Sequence, residues 1–281
     1  MLKTNKPEFL IIGVMKAGTT TLHHNLDQHE DISMSSYKEP GFLLPGYSKG
    51  IKEENKYLSL FDHSKLNGES TVAYLNSIDK VNLDKSQKII VLLRDPVERL
   101  FSHFKMRHFL GEELSFDKFQ TNNPDFKDIG FYKNDLEKLF KLIDKKNILI
   151  LGFEEFIKEE ELYTKKVLSF LNMKTENFNL RKQIQNESIN YKNKSIIKII
   201  SIIEIYRIDI IPVINKVPLL RTFLRYCYSF IKNNFSIKLK MTDKEREDLV
   251  KLYLPHVKEL KIFLNKNNFD SSFIEKWKNF N

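Results

Sequence analysis

The chain has 281 residues, enough for one large α/β domain or two small ones. Charged residues make up 30% of it, and no run of roughly 18 uninterrupted apolar residues occurs, which argues against a membrane-embedded protein. The net charge of +9 suits an anionic ligand, an anionic polymer or an acidic membrane surface, although the basic residues are scattered and fit plain Lys and Asn enrichment as well.

A single cysteine, Cys227, leaves no intrachain disulfide and no cysteine-based zinc cluster. Its apolar and aromatic neighbours read as the setting of a buried structural thiol. The opening MLKTNKPEFL runs straight into an apolar segment without a signal-peptide h-region and cleavage site, so a cytoplasmic protein is expected.

Phe9 to Val14, with β-branched Ile11, Ile12 and Val14, reads as a short buried strand. It runs into a small-residue loop, Lys16 to Thr21, and then a helix with Leu22 and Leu26 on one face. Tyr37 to Phe42 is a loop in which Pro40 biases Glu39 toward an extended conformation. Residues 47–65 read as an irregular or helical connection, and Gly68 to Leu75 as a strand end followed by a loop. Lys88 to Leu93 is the next strand. It ends at Arg94-Asp95-Pro96, where Asp95 suits an N-cap and Pro96 a first helical residue. Helical spacing follows at Val97, Leu100, Phe101 and Phe104, and again over Phe131 to Ile143.

Asn147 to Leu151 is a third strand, and Glu154 to Leu171 reads as one helix with Phe156, Leu162, Val167, Phe170 and Leu171 inward. Ser195 to Asn234 mixes Ile, Leu and aromatics with Lys and Arg. Thr242 to Leu264 is a helix opened by a Thr242/Glu245 capping box. With no internal repeat or linker, residues 1–281 are expected to form a single domain with a helical C-terminal portion, 195–240 being a helical insertion or cap. The alternation of strands and helices predicts an α/β fold with a central parallel sheet flanked by helices. The loops after the strands should then share one edge of the sheet.

Strand, tight loop and helix N-terminus form an anion site through backbone N–H groups and the helix dipole. Gly13 to Thr20 matches the two glycines of the Walker A pattern G-x-x-x-x-G-K-[ST], but Thr19 stands where its lysine belongs and Lys16 sits inside the loop. A nucleotide triphosphatase would lose its main β/γ-phosphate contact by that change.

Lys16-Ala17-Gly18-Thr19-Thr20-Thr21-Leu22 after a strand resembles the 5′-phosphosulfate loop of sulfotransferases that use 3′-phosphoadenosine 5′-phosphosulfate (PAPS). The longer IIGVMKAGTT, followed by Lys38-Glu39-Pro40, resembles the carbohydrate (heparan-sulfate-type) branch and its bacterial relatives. The family's second signature resembles Arg94 in LLRDPVERLFSHF together with Ser102. The resemblance continues through GESTVAYL, ILILGFEEF and LSFLNM, and so covers most of the chain.

It implies a P-loop-like three-layer sandwich and transfer of a sulfuryl group to a carbohydrate or glycolipid hydroxyl, leaving 3′-phosphoadenosine 5′-phosphate (PAP). It implies Glu39 as general base and Lys16 at the bridging oxygen. Ala17, Gly18, Thr19, Thr20 and Thr21 would hold the 5′-phosphate, and Arg94 and Ser102 the 3′-phosphate. Lys192 and Lys194, in a segment similar to the late loop that closes over the donor, either join the donor site or are solvated charges. No metal is required by this scheme.

One departure concerns Gly68-Glu69-Ser70-Thr71, where many relatives carry a lysine at the reaction centre; Glu69 is a secondary candidate there. His23, His24 and His103 lack further ligands at useful spacing and are read as structural. The histidine base and late R-K-G-x-x-G-D-W-K motif of the small-molecule sulfotransferases have no counterpart, which favours a glycan-type acceptor. Two rivals are a P-loop nucleotide kinase-like enzyme and a non-catalytic anionic-ligand-binding domain. No basic or aromatic module supports a nucleic-acid partner. Arg207, Lys216, Arg221 and Arg225 among apolar residues suit either a peripheral membrane contact or a helical cap facing the core, the latter being preferred.

Overall fold

A computed structural model describes residues 6–47, 50–109, 115–176, 178–181, 190–191, 236–237 and 239–281. Lys192, Lys194 and Cys227 lie outside these, as does nearly all of 195–240. The apolar run Phe9–Gly13 forms strand β1, buried at every position. Complete burial is the signature of a central strand covered on both faces. After it come α1 (Thr19–Leu26), β2 (Ile32–Met34), α2 (Glu54–Leu58), β3 (Leu66–Ser70), α3 (Ala73–Asn76), β4 (Lys88–Leu93) and α4 (Pro96–Phe109). The chain continues through α5 (Phe116–Asn122), α6 (Asp125–Asp128), α7 (Tyr132–Leu142), β5 (Ile148–Gly152), α8 (Phe153–Lys158) and α9 (Glu160–Phe170). A short antiparallel pair, β6 (Asn190–Tyr191) with β7 (Ser236–Ile237), precedes α10 (Asp243–Lys266).

The five long-range strands form one sheet in the order β2-β3-β1-β4-β5, parallel throughout. The chain steps toward one edge from β1 to β2 and toward the other from β3 to β4. Right-handed crossovers therefore put α1 and α3 on opposite faces. α1 meets α9, where the Asn25 amide donates to Thr164 Oγ1 at 3.2 Å, and α3 meets α7, where Asn76 donates to Asp135 at 2.9 Å. This is the α/β layered arrangement expected from the alternating pattern.

Two compact units emerge, one of residues 1–99, 125–184 and 248–281, the other of 100–124 and 185–247. The sheet and its helices make up the first. In the second, Phe101, Phe104, Phe116 and Phe119 form an aromatic cluster, with His103 buried edge-on to Phe119.

Several expected details differ. The helix expected over Glu154 to Leu171 is two helices, because Glu159 leaves the helical region at φ −132 and ψ 55. The break resets the phase, so Leu162 points outward at 58% exposure while Thr164 is fully buried. β2 was not anticipated, being only three residues long. The strand end expected near Gly68 is the full strand β3, and it is followed by a short helix rather than a loop alone. The Thr242/Glu245 capping box is present: Thr242 Oγ1 accepts from the Glu245 amide at 3.2 Å, and Glu245 accepts from the Thr242 amide at 2.7 Å.

Close approach within the sheet makes one glycine indispensable. Gly68 pairs with Phe9, and a Cβ on Gly68 would lie 2.0 Å from the Phe9 ring, which is itself fully buried. Gly68→Ala is expected to cost about 1–3 kcal/mol in chemical denaturation through overpacking; an unchanged midpoint would contradict this account.

Candidate active site

The loops after β1, β3 and β4 leave the carboxyl edge of three adjacent strands. The first begins with the Val14 amide donating to Leu92 O at 2.8 Å, so β4 anchors its entry. It ends at Gly18, the left-handed N-cap of α1 at φ 80 and ψ 12. A side chain at Gly18 would be strained by that φ, and its Cβ would sit 3.0 Å from the Phe153 ring. Gly18 offers no capping side chain, and the N–H groups of a first helical turn have no intrahelical acceptor. Ala17 and Thr19 are buried, Thr21 is half-buried and Thr20 is exposed. Lys16, half-buried, has its backbone in the left-handed region at φ 69, which costs a non-glycine residue energy.

Arg94 joins the loop after β4 to the loop after β1. Its Nη1 donates to the Lys16 carbonyl at 2.8 Å, and its guanidinium lies 4.3 Å from the centre of the Phe153 ring. Its Nε is buried and has no hydrogen-bond partner among the described residues. Asp95 is the N-cap of α4 as expected, accepting from the Val97 amide at 3.0 Å and the Glu98 amide at 3.3 Å. The C-terminal segment returns here, and Asn279 donates to Asp95 at 2.7 Å. Ser102 is half-buried on α4 and belongs to the second unit.

Glu39 is held against the end of β3. Its amide donates to Ser70 O at 3.0 Å, and its carboxylate accepts from the Val72 amide at 2.8 Å and from Lys38. Like Lys16, it occupies the left-handed region, at φ 63. Its side chain is 30% exposed, open enough for a reactant to approach. Glu69 differs, with no exposed surface at all; it accepts hydrogen bonds from Tyr57 and Thr71. Burial pushes its carboxyl above the ordinary range, against the pull of the Tyr57, Tyr74 and Thr71 hydroxyls.

The imidazole of His23 is buried, which, with Lys38 and His24 nearby, drops its pKa to about 3 and keeps it neutral. His24 is exposed. Among the described residues no group of three or more His, Cys, Asp or Glu is arranged to hold a metal ion.

The site also contains a residue that sequence reasoning passed over. A cleft of about 210 Å³ is lined by Arg94, Asp95, Phe153, Glu154, Lys276 and Lys278. Glu154 Oε1 accepts from the Asp95 amide at 3.1 Å, while its Oε2 is buried without a partner among the described residues. The available signal was its place two residues past the end of β5, on the same sheet edge as the other loops.

Burial raises Glu154 to about 7, despite the Asp95 amide and Arg94, which pull it down. The folded protein therefore holds a proton that the unfolded chain releases near pH 4.5. That stabilisation is complete below pH 4.5 and is lost as the pH rises through about 7, a change of about 3 kcal/mol at most. Thermal denaturation followed from pH 4.5 to 7.5 is expected to show this decline in the wild type and a flatter profile in Glu154→Gln. Parallel profiles would contradict the assignment.

The sequence profile of the sulfotransferase domain family matches residues 6–206. Among curated proteins, the membrane-associated sulfotransferase kil1 of Dictyostelium discoideum is 40% identical over 120 residues, 40% of this chain and 25% of that protein. Human carbohydrate sulfotransferase 15 is 26% identical, covering 59% of this chain and 44% of that protein. The chain thus spans less than half the length of these relatives. Among solved structures, a sulfotransferase from Alicyclobacillus acidocaldarius superposes with a TM-score of 0.64 at 19% identity, over 96% of this chain and 99% of that one, and so shares the fold. With the profile covering well over half of its length, the chain belongs to the sulfotransferase domain family.

Proposed function

We propose that this protein transfers a sulfuryl group from PAPS to a hydroxyl of a carbohydrate or glycolipid. The observation that carries the reading is the bond from Arg94 to the Lys16 carbonyl, which ties the two anion-binding signatures into one site. The donor has two charged ends, and two features of the chain fit them. The uncapped first turn of α1 suits the 5′-phosphate, and the Arg94 guanidinium, with its unused Nε, suits the 3′-phosphate.

In this scheme Glu39 takes the proton from the acceptor hydroxyl, whose oxygen then forms a bond to sulfur. The bond from sulfur to the bridging oxygen breaks, and its electron pair passes to the 5′-phosphate of PAP. Lys16 stabilises that charge, together with the amides of residues 18–21, the Ala17 amide being bonded to the Val14 carbonyl. The family resemblance adds Ser102 as a ligand of the 3′-phosphate, and Lys192 and Lys194 as either donor ligands or solvated charges. No side chain in this sequence of steps needs a metal ion. Carbohydrate sulfotransferase 15 among the relatives supports a glycan acceptor, and the name of kil1 supports a peripheral membrane contact, here assigned to a cytoplasmic protein. Among the described residues no helix is long and apolar enough to cross a membrane.

A kinase-like reading needs a lysine where Thr19 stands. A thermal-shift comparison separates the two. PAP is expected to raise the melting temperature by several degrees and ATP–magnesium to leave it unchanged; stabilisation by ATP–magnesium alone would overturn the proposal. Glu39→Gln is expected to keep PAP affinity and lower sulfuryl transfer about 100-fold or more. Full activity in that variant would reject Glu39 as the base.

A further inference from the structure

Glu69 is a fully buried carboxylate beside the site that the scheme above does not use, and among the described residues no cation forms an ion pair with it. Burying a carboxylate without a counter-ion is costly unless hydrogen bonds satisfy it. Here two hydroxyls supply them directly and a third lies close by. Thr71 Oγ1 donates at 2.7 Å, Tyr57 donates to the other carboxylate oxygen, and the Tyr74 hydroxyl adds to the stabilisation of the charge.

Each of these residues also grips the loop that carries Glu39. Thr71 Oγ1 accepts from the Gly41 amide at 3.2 Å. The Tyr74 hydroxyl accepts from the Leu43 amide at 3.1 Å. The Tyr57 ring stacks on Phe42, with centroids 4.3 Å apart and planes 16° from parallel. Three consecutive loop residues, 41 to 43, are thus held by three residues that converge on one carboxylate.

The direction of these bonds matters. An amide N–H only donates, so the Thr71 oxygen that accepts from Gly41 has its own proton left to give, and Glu69 Oε1 is the acceptor that receives it. Tyr57 likewise gives its proton to Glu69 Oε2. A neutral amide at position 69 would present donors of its own and scramble that orientation. An apolar residue there would leave the hydroxyls free to rotate.

We propose that Glu69 is a positioning residue. Through Thr71, Tyr57 and Tyr74 it fixes residues 41–43 and so sets where the Glu39 carboxylate meets the acceptor. The inference rests on Glu39 being the base, but the clamp itself can be read without catalysis. Its hydrogen bonds run to the loop that carries Glu39, so donor binding is expected to be indifferent to it.

The test uses the full-length chain with Glu69→Gln, Thr71→Val, Thr71→Ser and Glu39→Gln. Amide hydrogen exchange at Gly41 and Leu43, PAP affinity by calorimetry, and transfer of labelled sulfuryl from PAPS to heparosan are measured for each. Glu69→Gln and Thr71→Val are expected to speed exchange at one or both amides at least tenfold and to lower kcat, with PAP affinity within twofold of wild type. Thr71→Ser, which keeps the hydroxyl, is expected to restore wild-type exchange and turnover. Should Glu69→Gln not fold, Thr71→Val and its serine rescue decide the matter alone.

Unchanged exchange in Thr71→Val, or a loss of PAP affinity equal to the loss of turnover, would overturn the clamp. Altered exchange combined with full transfer by Glu39→Gln would leave the clamp standing and remove the base on which its catalytic purpose rests.

Discussion

Parallel pairing of β1 with β3 on one side and β4 on the other is the constraint on which the site depends. It brings the carboxyl ends of three strands within two strand spacings of each other, and β2, pairing with β3, adds a fourth. Lys16 after β1, Glu39 after β2 and Arg94 after β4, distant in sequence, therefore open onto one edge. Hydrogen bonds then tie the edge together: Arg94 to the Lys16 carbonyl, the Glu39 amide to Ser70, and the Val14 amide to Leu92. Loops in α/β proteins are commonly the mobile part; here each is tied by a hydrogen bond to a neighbouring strand or loop.

Charge burial is the second theme. Arg94, Asp95, Glu69 and Glu154 are all withdrawn from water, and burial is the largest influence on the proton affinity of each. Desolvation disfavours the charged form of every one of them. The cost is accepted where an orientation is gained. Arg94 sits over the Phe153 ring, Asp95 caps α4 while bonding Asn279, and Glu69 accepts from hydroxyls that also hold the Glu39 loop. For the proposed multiply charged donor, a cationic group held in advance would leave little reorganisation at binding.

Much of this was legible before the fold was in view. The strand and helix around Gly18 could be read from apolar runs and small residues, and Asp95-Pro96 marked a helix start through capping chemistry. The displaced lysine at 16 separated the loop from nucleotide triphosphatases. What escaped had a physical reason. Ile32–Met34 is too short to show periodicity, and it becomes a strand only because β3 lies alongside. The break at Glu159 carries no proline or glycine, so Leu162 looked inward by simple counting although it faces solvent. Glu69 was legible only as a secondary candidate at the reaction centre. Its total burial was not, because Tyr57, which donates to it, comes from a segment that spacing alone does not bring alongside.

The central claim is that the two signatures grasp opposite ends of one donor. A crystal structure of the protein with PAP tests it most directly. The account predicts the 5′-phosphate on the amides of residues 18–21 with Lys16 beside it, and the 3′-phosphate on Arg94. A 5′-phosphate seated away from the loop after β1, or a 3′-phosphate out of reach of Arg94, would contradict it.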